Sequence, residues 1–171
     1  MTQYKNRLSA SIQASISMLG TQSLKSPQDF LVYKVYLPSR PEIWIETLEI
    51  NKNIKPNQFL TGKTSETKKK PNLIMIHGLG GSYAAQFKLY QALSEKFHIF
   101  AFDLPGMGTS YRYRWNFKDT KSIMAFYNET IEEWRQVLHI DTFYIFGYSV
   151  GGYFAMNYLN SHQPEGCLGV F

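Results

Sequence analysis

The sequence has one cysteine, Cys167, so an internal disulfide is excluded and with it a small secreted scaffold held by cross-links. A reducing compartment is allowed, and a buried thiol is the expected role of Cys167. No apolar run approaches the roughly 18 residues needed to span a bilayer, and residues 1–20 lack the uninterrupted apolar core of a secretory signal. Neither G-x-x-x-x-G-K-[ST] nor G-x-G-x-x-G occurs in the glycine-rich turns, which removes the phosphate-cradling loop as an explanation for them. The surplus of positive charge is modest, +5 with a pI near 9.2, and no nucleic-acid motif accompanies it. Acidic residues are absent from Met1 to Gln28.

What is present is enough for a single domain with a core: 171 residues, 44% of them hydrophobic and 16% aromatic. Residues 1–28 stand apart as an amphipathic leader. Lys5, Arg7 and Lys25 are basic, serine is frequent, and Leu8, Ile12, Ile16 and Leu19 fall on one helical face. A surface helix or frayed leader, a mitochondrial transit peptide and a helix at a membrane interface all fit that pattern. A cytoplasmic or membrane-associated protein is expected, with a mitochondrial address admitted by the acid-poor start.

Residues 29–171 read as one α/β domain. Phe30 to Leu37 and Ile43 to Ile50 have the composition of two antiparallel strands joined by PSRPE, with Pro38 and Pro41 marking the turn. Residues 51–72 are polar, hold two prolines and carry the run Lys68, Lys69, Lys70, the pattern of a loop with solvated charge. Beyond it, apolar runs alternate with helical stretches. Leu73 to Ile76, Ile99 to Phe102, Phe143 to Phe146 and Cys167 to Phe171 are strand-like. Between them lie Ser82 to Lys96, with Phe87, Tyr90 and Leu93 on one face, and a long helix marked by Ile123, Phe126, Ile131, Trp134 and Leu138. Continuous apolar runs alternating with helices predict a mostly parallel sheet buried on both faces.

Two glycine-bearing turns carry the chemistry. FGYSVGG, Phe146 to Gly152, has the G-x-S-x-G form in which a serine sits on a sharp strand-to-helix turn. Gly147 and Gly151 are then the places where a Cβ would crowd the turn, Ser149 is the candidate nucleophile, and Tyr153, Met156 and Leu159 recur at helical spacing beyond it. IHGLGGS, Ile76 to Ser82, ends the first strand of the alternating series. Its backbone N–H groups can face a crevice at the strand ends, where they would stabilise a tetrahedral oxyanion. The expected donors are the N–H groups of Leu79 and Val150. His77, beside that turn, reads as a structural hydrogen-bonding group, and Asp103, in DLPGMGTS, as a carboxylate that organises its loop.

IMIHGLGGS, FAFDLPGMGTS and FGYSVGGYFAMNY occur in the order that marks the α/β-hydrolase fold, and from about Pro71 to Phe171 the chain resembles that family. More narrowly, NETIEEWRQVLHIDTFYIFGYSVGG is similar to the branch of the N-acyl-phosphatidylethanolamine lipases and the lipid-droplet coactivator of triglyceride lipase. In that branch the catalytic members keep serine at the elbow and the coactivator has asparagine, so Ser149 resembles the catalytic version. Tyr148 stands where the branch usually has histidine. The resemblance implies a serine hydrolase of carboxylic esters, with (lyso)phospholipid or N-acyl-phospholipid acyl groups as substrates and no metal or diffusible cofactor. Its alternatives are a non-catalytic lipid-surface or lipase-binding module and an acyl-CoA-dependent lysophospholipid acyltransferase. A lipid or ester substrate, a membrane or lipid-droplet surface and a protein completing the fold are the partners it implies.

The family places its triad in the chain order serine, acid, histidine. After Ser149 the sequence offers only Glu165 and His162, both at the far end of the helix that starts at the serine. At ~1.5 Å per residue that end lies roughly 18 Å away, beyond the ~3 Å reach of a general base. The expectation is therefore the front part of a hydrolase domain, truncated before the lid and the last strands, with the triad acid and histidine supplied from elsewhere.

Overall fold

The computed structural model describes residues 30–50, 70–112, 114 and 116–171. The leader, residues 1–28, and most of the lysine-bearing loop, residues 51–69, lie outside the described residues. Among those described, six strands form one sheet in the order β1-β2-β4-β3-β5-β6. The strands are β1 (Phe30–Leu37), β2 (Arg40–Ile50), β3 (Asn72–Ile76), β4 (His98–Phe102), β5 (Phe143–Gly147) and β6 (Cys167–Val170). Strands β3 to β6 pair in parallel, whereas β1 with β2 and β2 with β4 are antiparallel.

The parallel pairs are linked by helices that fall on opposite faces. A 3₁₀ turn (Tyr83–Gln86) runs into α1 (Phe87–Ser94), which connects β3 to β4. Tyr83 and Tyr90 pack there with Leu73, Met75, Ile99 and Ala101. The other face carries α2 (Thr120–Val137) and α3 (Val150–His162). Phe126, Ile131 and Trp134 of α2 and Phe154, Ala155 and Tyr158 of α3 bury Ile74, Phe100, Phe102 and Ile145. Period-two alternation in each strand feeds the two clusters, so one strand serves both faces. Helix α2 begins at Asp119, whose side chain accepts from Ser122 N–H in a reciprocal cap, which satisfies donors that a helix start leaves free.

Several expected boundaries shift. The turn between β1 and β2 is tighter than PSRPE: Leu37 already pairs with Arg40, and a register shift lies between Tyr36 and Leu37. Pro41 therefore sits inside β2, at an irregularity where the ladder does not need its missing N–H. Asn72, expected in the loop, opens β3, and Lys70 donates to the Ser94 carbonyl at 2.7 Å, so the lysine run ends in an anchored residue. The helix that the spacing of Tyr153, Met156 and Leu159 predicts is present as α3, and its buried face is another row. Tyr153 and Met156 are more than half exposed, while Phe154, Ala155 and Tyr158 face the sheet. No helix among the described residues is long and apolar enough to cross a membrane.

Candidate active site

In the register of the parallel strands Ile76 stands beside both Phe102 and Gly147, so β3, β4 and β5 end at one level. Chain leaves β3 toward β4 on one side and reaches β5 on the other, which opens a crevice at the carboxyl ends of these strands. Three turns meet there: His77–Ser82, Asp103–Ser110 and Tyr148–Val150.

Ser149 is exposed and lies between β5 and α3 with φ 55° and ψ −123°. A non-glycine residue in that region is strained, and the surrounding contacts hold it there. Tyr148 N–H donates to the Ile76 carbonyl at 3.0 Å, and Gly151 N–H donates back to the Tyr148 carbonyl at 2.9 Å. The two glycines are demanded by space. A Cβ on Gly147 would stand 2.4 Å from the Gly152 Cα, and one on Gly151 would stand 2.4 Å from the Ile76 carbonyl oxygen. Gly147 therefore admits the start of α3, while Gly151 admits the end of the neighbouring strand β3.

The glycine-rich turn after β3 leans directly on the serine. A Cβ on Gly78 would lie 3.3 Å from Ser149 Cβ and 3.2 Å from Cδ1 of Tyr148. Leu79 follows, 78% exposed, and Gly80 has φ +67°. Val150 is the first residue of α3, and the N-cap Ser149 side chain makes no capping bond, while the N–H groups of Gly151 and Gly152 are taken by the Tyr148 and Ser149 carbonyls.

Behind the crevice, His77 and Asp103 brace the turns. Leu104 N–H donates to His77 Nε2 at 3.1 Å, which leaves the proton on Nδ1 for the Gly78 carbonyl at 2.7 Å. Asp103 is buried. Its Oδ1 accepts from Tyr83 N–H and its Oδ2 from Thr109 N–H, each at 2.7 Å. Burial pushes the Asp103 carboxyl up, and the bonds from Thr109 and Tyr83, with the neighbouring His77, pull it back only in part. A second carboxylate, Glu46 of β2, lies buried close by, raised by burial, drawn down by Lys34 and raised again by Asp103. Sequence reasoning did not single out Glu46, because β2 also carries Glu42 and Glu49 and nothing in the strand's pattern sets Glu46 apart from them.

The remaining histidines lie elsewhere in the fold. His98 opens β4, at the opposite end of the strand from the crevice, and meets Glu49 at 2.6 Å while Tyr33 OH donates to the same carboxylate at 2.8 Å. His139 lies between α2 and β5, and His162, at the end of α3, is 3.5 Å from Glu129. An open cleft of about 740 Å³ between the β1–β2 turn, α2 and His162 is lined by Ser39, Arg40, Glu129 and Glu133, and contains none of Ser149, Leu79 or Val150.

Residues 71–171 match the family described as the alpha/beta hydrolase fold. The chain belongs to that family. Among its relatives, a (lyso)-N-acylphosphatidylethanolamine lipase of Mus musculus is 30% identical over 129 residues, 75% of this chain and 33% of the relative. A probable 1-acylglycerol-3-phosphate O-acyltransferase of Oryza sativa subsp. japonica is 37% identical over 95 residues, 56% of this chain and 23% of the relative. The 1-acylglycerol-3-phosphate O-acyltransferase ABHD5 of Rattus norvegicus is 35% identical over 89 residues, 52% of this chain and 25% of the relative. The chain thus spans about a quarter to a third of these relatives. Among solved structures, a bacterial membrane phospholipase A matches with a TM-score of 0.68 at 22% identity, over 94% of this chain and 43% of that one. A naproxen esterase of Bacillus subtilis matches with a TM-score of 0.65 at 17% identity, over 92% and 46%. These two likenesses show the fold, and the alpha/beta hydrolase chain shares it from β1 to β6.

Proposed function

We propose that this chain carries the nucleophile half of a lipid acyl-ester hydrolase, with Ser149 as nucleophile. The observation that carries the proposal is the φ 55° of Ser149 at a strand-to-helix turn, held by contacts that leave its side chain exposed in a crevice. Ser149 Oγ attacks the ester carbonyl and its proton passes to a base. The N–H groups of Leu79 and Val150 receive the negative charge on the former carbonyl oxygen. The alcohol leaves with a proton, and water then releases the acid from the serine ester. (Lyso)phospholipid or N-acyl-phospholipid acyl groups are the proposed substrates, supported by the lipid-acting relatives. All four histidines of the sequence are placed away from Ser149 or committed to backbone groups, so the base and its acid come from outside these residues.

The same commitment of the histidines favours a second reading, a non-catalytic module that binds a lipid surface or a lipase. An acyl-CoA-dependent transfer to a lysophospholipid is a variant of the first reading, favoured by the acyltransferase names of two of the relatives. Reactivity separates the classes. The protein captured from its own cells is treated with a fluorophosphonate probe, with Ser149→Ala as the blank. Labelling that disappears in Ser149→Ala is expected of the enzyme, and a folded, unreactive protein supports the binding module.

A further inference from the structure

We propose that Tyr148 is the residue through which the Ser149 site selects extended acyl chains, its ring serving both to position the Gly78–Leu79 turn and as a wall for the chain. The proposal deepens the hydrolase reading above and rests on it.

The main chain of Tyr148 is fixed from both sides. Its N–H bonds to the end of β3, and its carbonyl accepts from the first turn of α3. The root of the side chain is thereby tied to the same two elements that hold the serine. The ring then reaches over the glycine-rich turn. The point a Cβ on Gly78 would occupy is 3.2 Å from Tyr148 Cδ1 and 3.3 Å from Ser149 Cβ. Ring edge, serine and turn meet at this one point, where a side chain at position 78 would require its neighbours to give by a few tenths of an ångström. A shift of the ring is thus felt at Gly78, one residue from the donor assigned to the oxyanion.

Much of the residue is uncovered: Tyr148 is 64% exposed, and Leu79, next to Gly78 in the chain, is 78% exposed. Isolated exposed apolar side chains are ordinary on a protein surface. Here one directly precedes Ser149 in the chain, and the other follows Gly78, whose Cβ position lies 3.3 Å from Ser149 Cβ. An acyl chain lying along Tyr148 and Leu79 would take apolar area out of water on both partners. Each methylene so covered favours binding by about 2- to 4-fold. Chains long enough to cross the ring gain this, whereas acetyl-sized groups do not. The substrate class is an ester of an extended fatty acid.

The test measures the rate at which Ser149 is labelled by fluorophosphonates carrying short or long alkyl chains, in protein captured from its own cells. Wild type, Tyr148→Phe and Tyr148→Ala are compared, with Ser149→Ala as blank and circular dichroism as the check of folding. The rate is expected to rise with chain length in wild type and in Tyr148→Phe, which keeps the ring. In Tyr148→Ala the dependence flattens, with a loss of about tenfold for the long probe. Should Tyr148→Ala lose its fold, Tyr148→His carries the same test, because a smaller, polar ring still covers Gly78 and offers little apolar wall. A labelled wild type with an unchanged chain-length dependence in the folded variant overturns the role of Tyr148 and leaves Ser149 as nucleophile. A folded wild type that no probe labels overturns both.

Discussion

A Cβ on Gly108 would stand 1.9 Å from Oδ2 of Asp103, closer than any side chain can be placed against a carboxylate. The DLPGMGTS turn wraps around that carboxylate, and Gly108, at φ +51°, supplies the left-handed residue that lets it do so. Gly108→Ala is therefore expected to destabilise the domain by about 2–4 kcal/mol, from backbone strain and a displaced carboxylate together. Urea unfolding of the variant against wild type measures it; a midpoint unchanged within error would mean the turn is not held by Asp103.

Two glycines of the elements that bound the crevice should respond differently to alanine. Gly151 has no room, with the Ile76 and His77 carbonyl oxygens at 2.4 and 2.5 Å from a built Cβ, whereas Gly80 has open space and a φ of +67°. Gly80→Ala is expected to cost only the left-handed backbone, about 1–2 kcal/mol. Gly151→Ala must push β3 and α3 apart, so its loss should be larger, about 3 kcal/mol or failure to fold. Thermal melts of the two variants compare them directly, and equal losses would contradict the packing argument.

Trp134 is fully buried in α2, and its indole N–H donates to Thr47 Oγ1 of β2 at 2.9 Å, tying the helix to the sheet. Thr47→Val keeps the shape but leaves that N–H unpaired, at a cost of about 1–3 kcal/mol. Trp134→Phe removes the donor and opens a void, at a cost of about 2–4 kcal/mol. Because each change removes the same bond, the double variant should lose at least ~0.5 kcal/mol less than the sum. Additive losses in a denaturation cycle would show that the bond contributes nothing.

Acid should weaken the tie between α2 and α3. Burial pushes the Glu132 carboxyl up, but bonds from Arg135, Tyr158 and Gln136 and the Arg135 charge outweigh it, and the net direction is down. A carboxylate lowered in the folded protein adds stability above its unfolded value, and that contribution is lost as pH falls through the lower folded value. Glu132→Gln should thus be less stable than wild type near pH ~7, with the gap narrowing below about pH 4. Urea midpoints across that range decide it; a gap independent of pH would assign the effect to packing.

Much of this architecture was legible because each signal was local. The limits of β1 were read to the residue, since an apolar run closed by Pro38 has few other outcomes. The strands β3, β4 and β5 followed from short apolar runs between helical stretches, and the position of Ser149 between strand and helix from its two spaced glycines. Pro41 was misread as turn because a proline marks a turn or a strand irregularity with the same letter. The spacing of Tyr153, Met156 and Leu159 marked α3 as a helix, but helical spacing cannot say which of two apolar faces meets the sheet.

By itself, then, the sequence determined the alternation of elements, the strained turn that holds Ser149 and the glycine-rich turn beside it, because backbone sterics and hydrophobic period act within a few residues. Only the tertiary structure decided what those turns touch. That Gly151 fits against the end of β3, that Tyr148 lies over Gly78, that Glu46 is buried beside Asp103 and that His77 braces the turns while His98 and His162 pair with carboxylates away from Ser149 are consequences of strand order and register. These bring together residues far apart in the chain, and no local pattern encodes them.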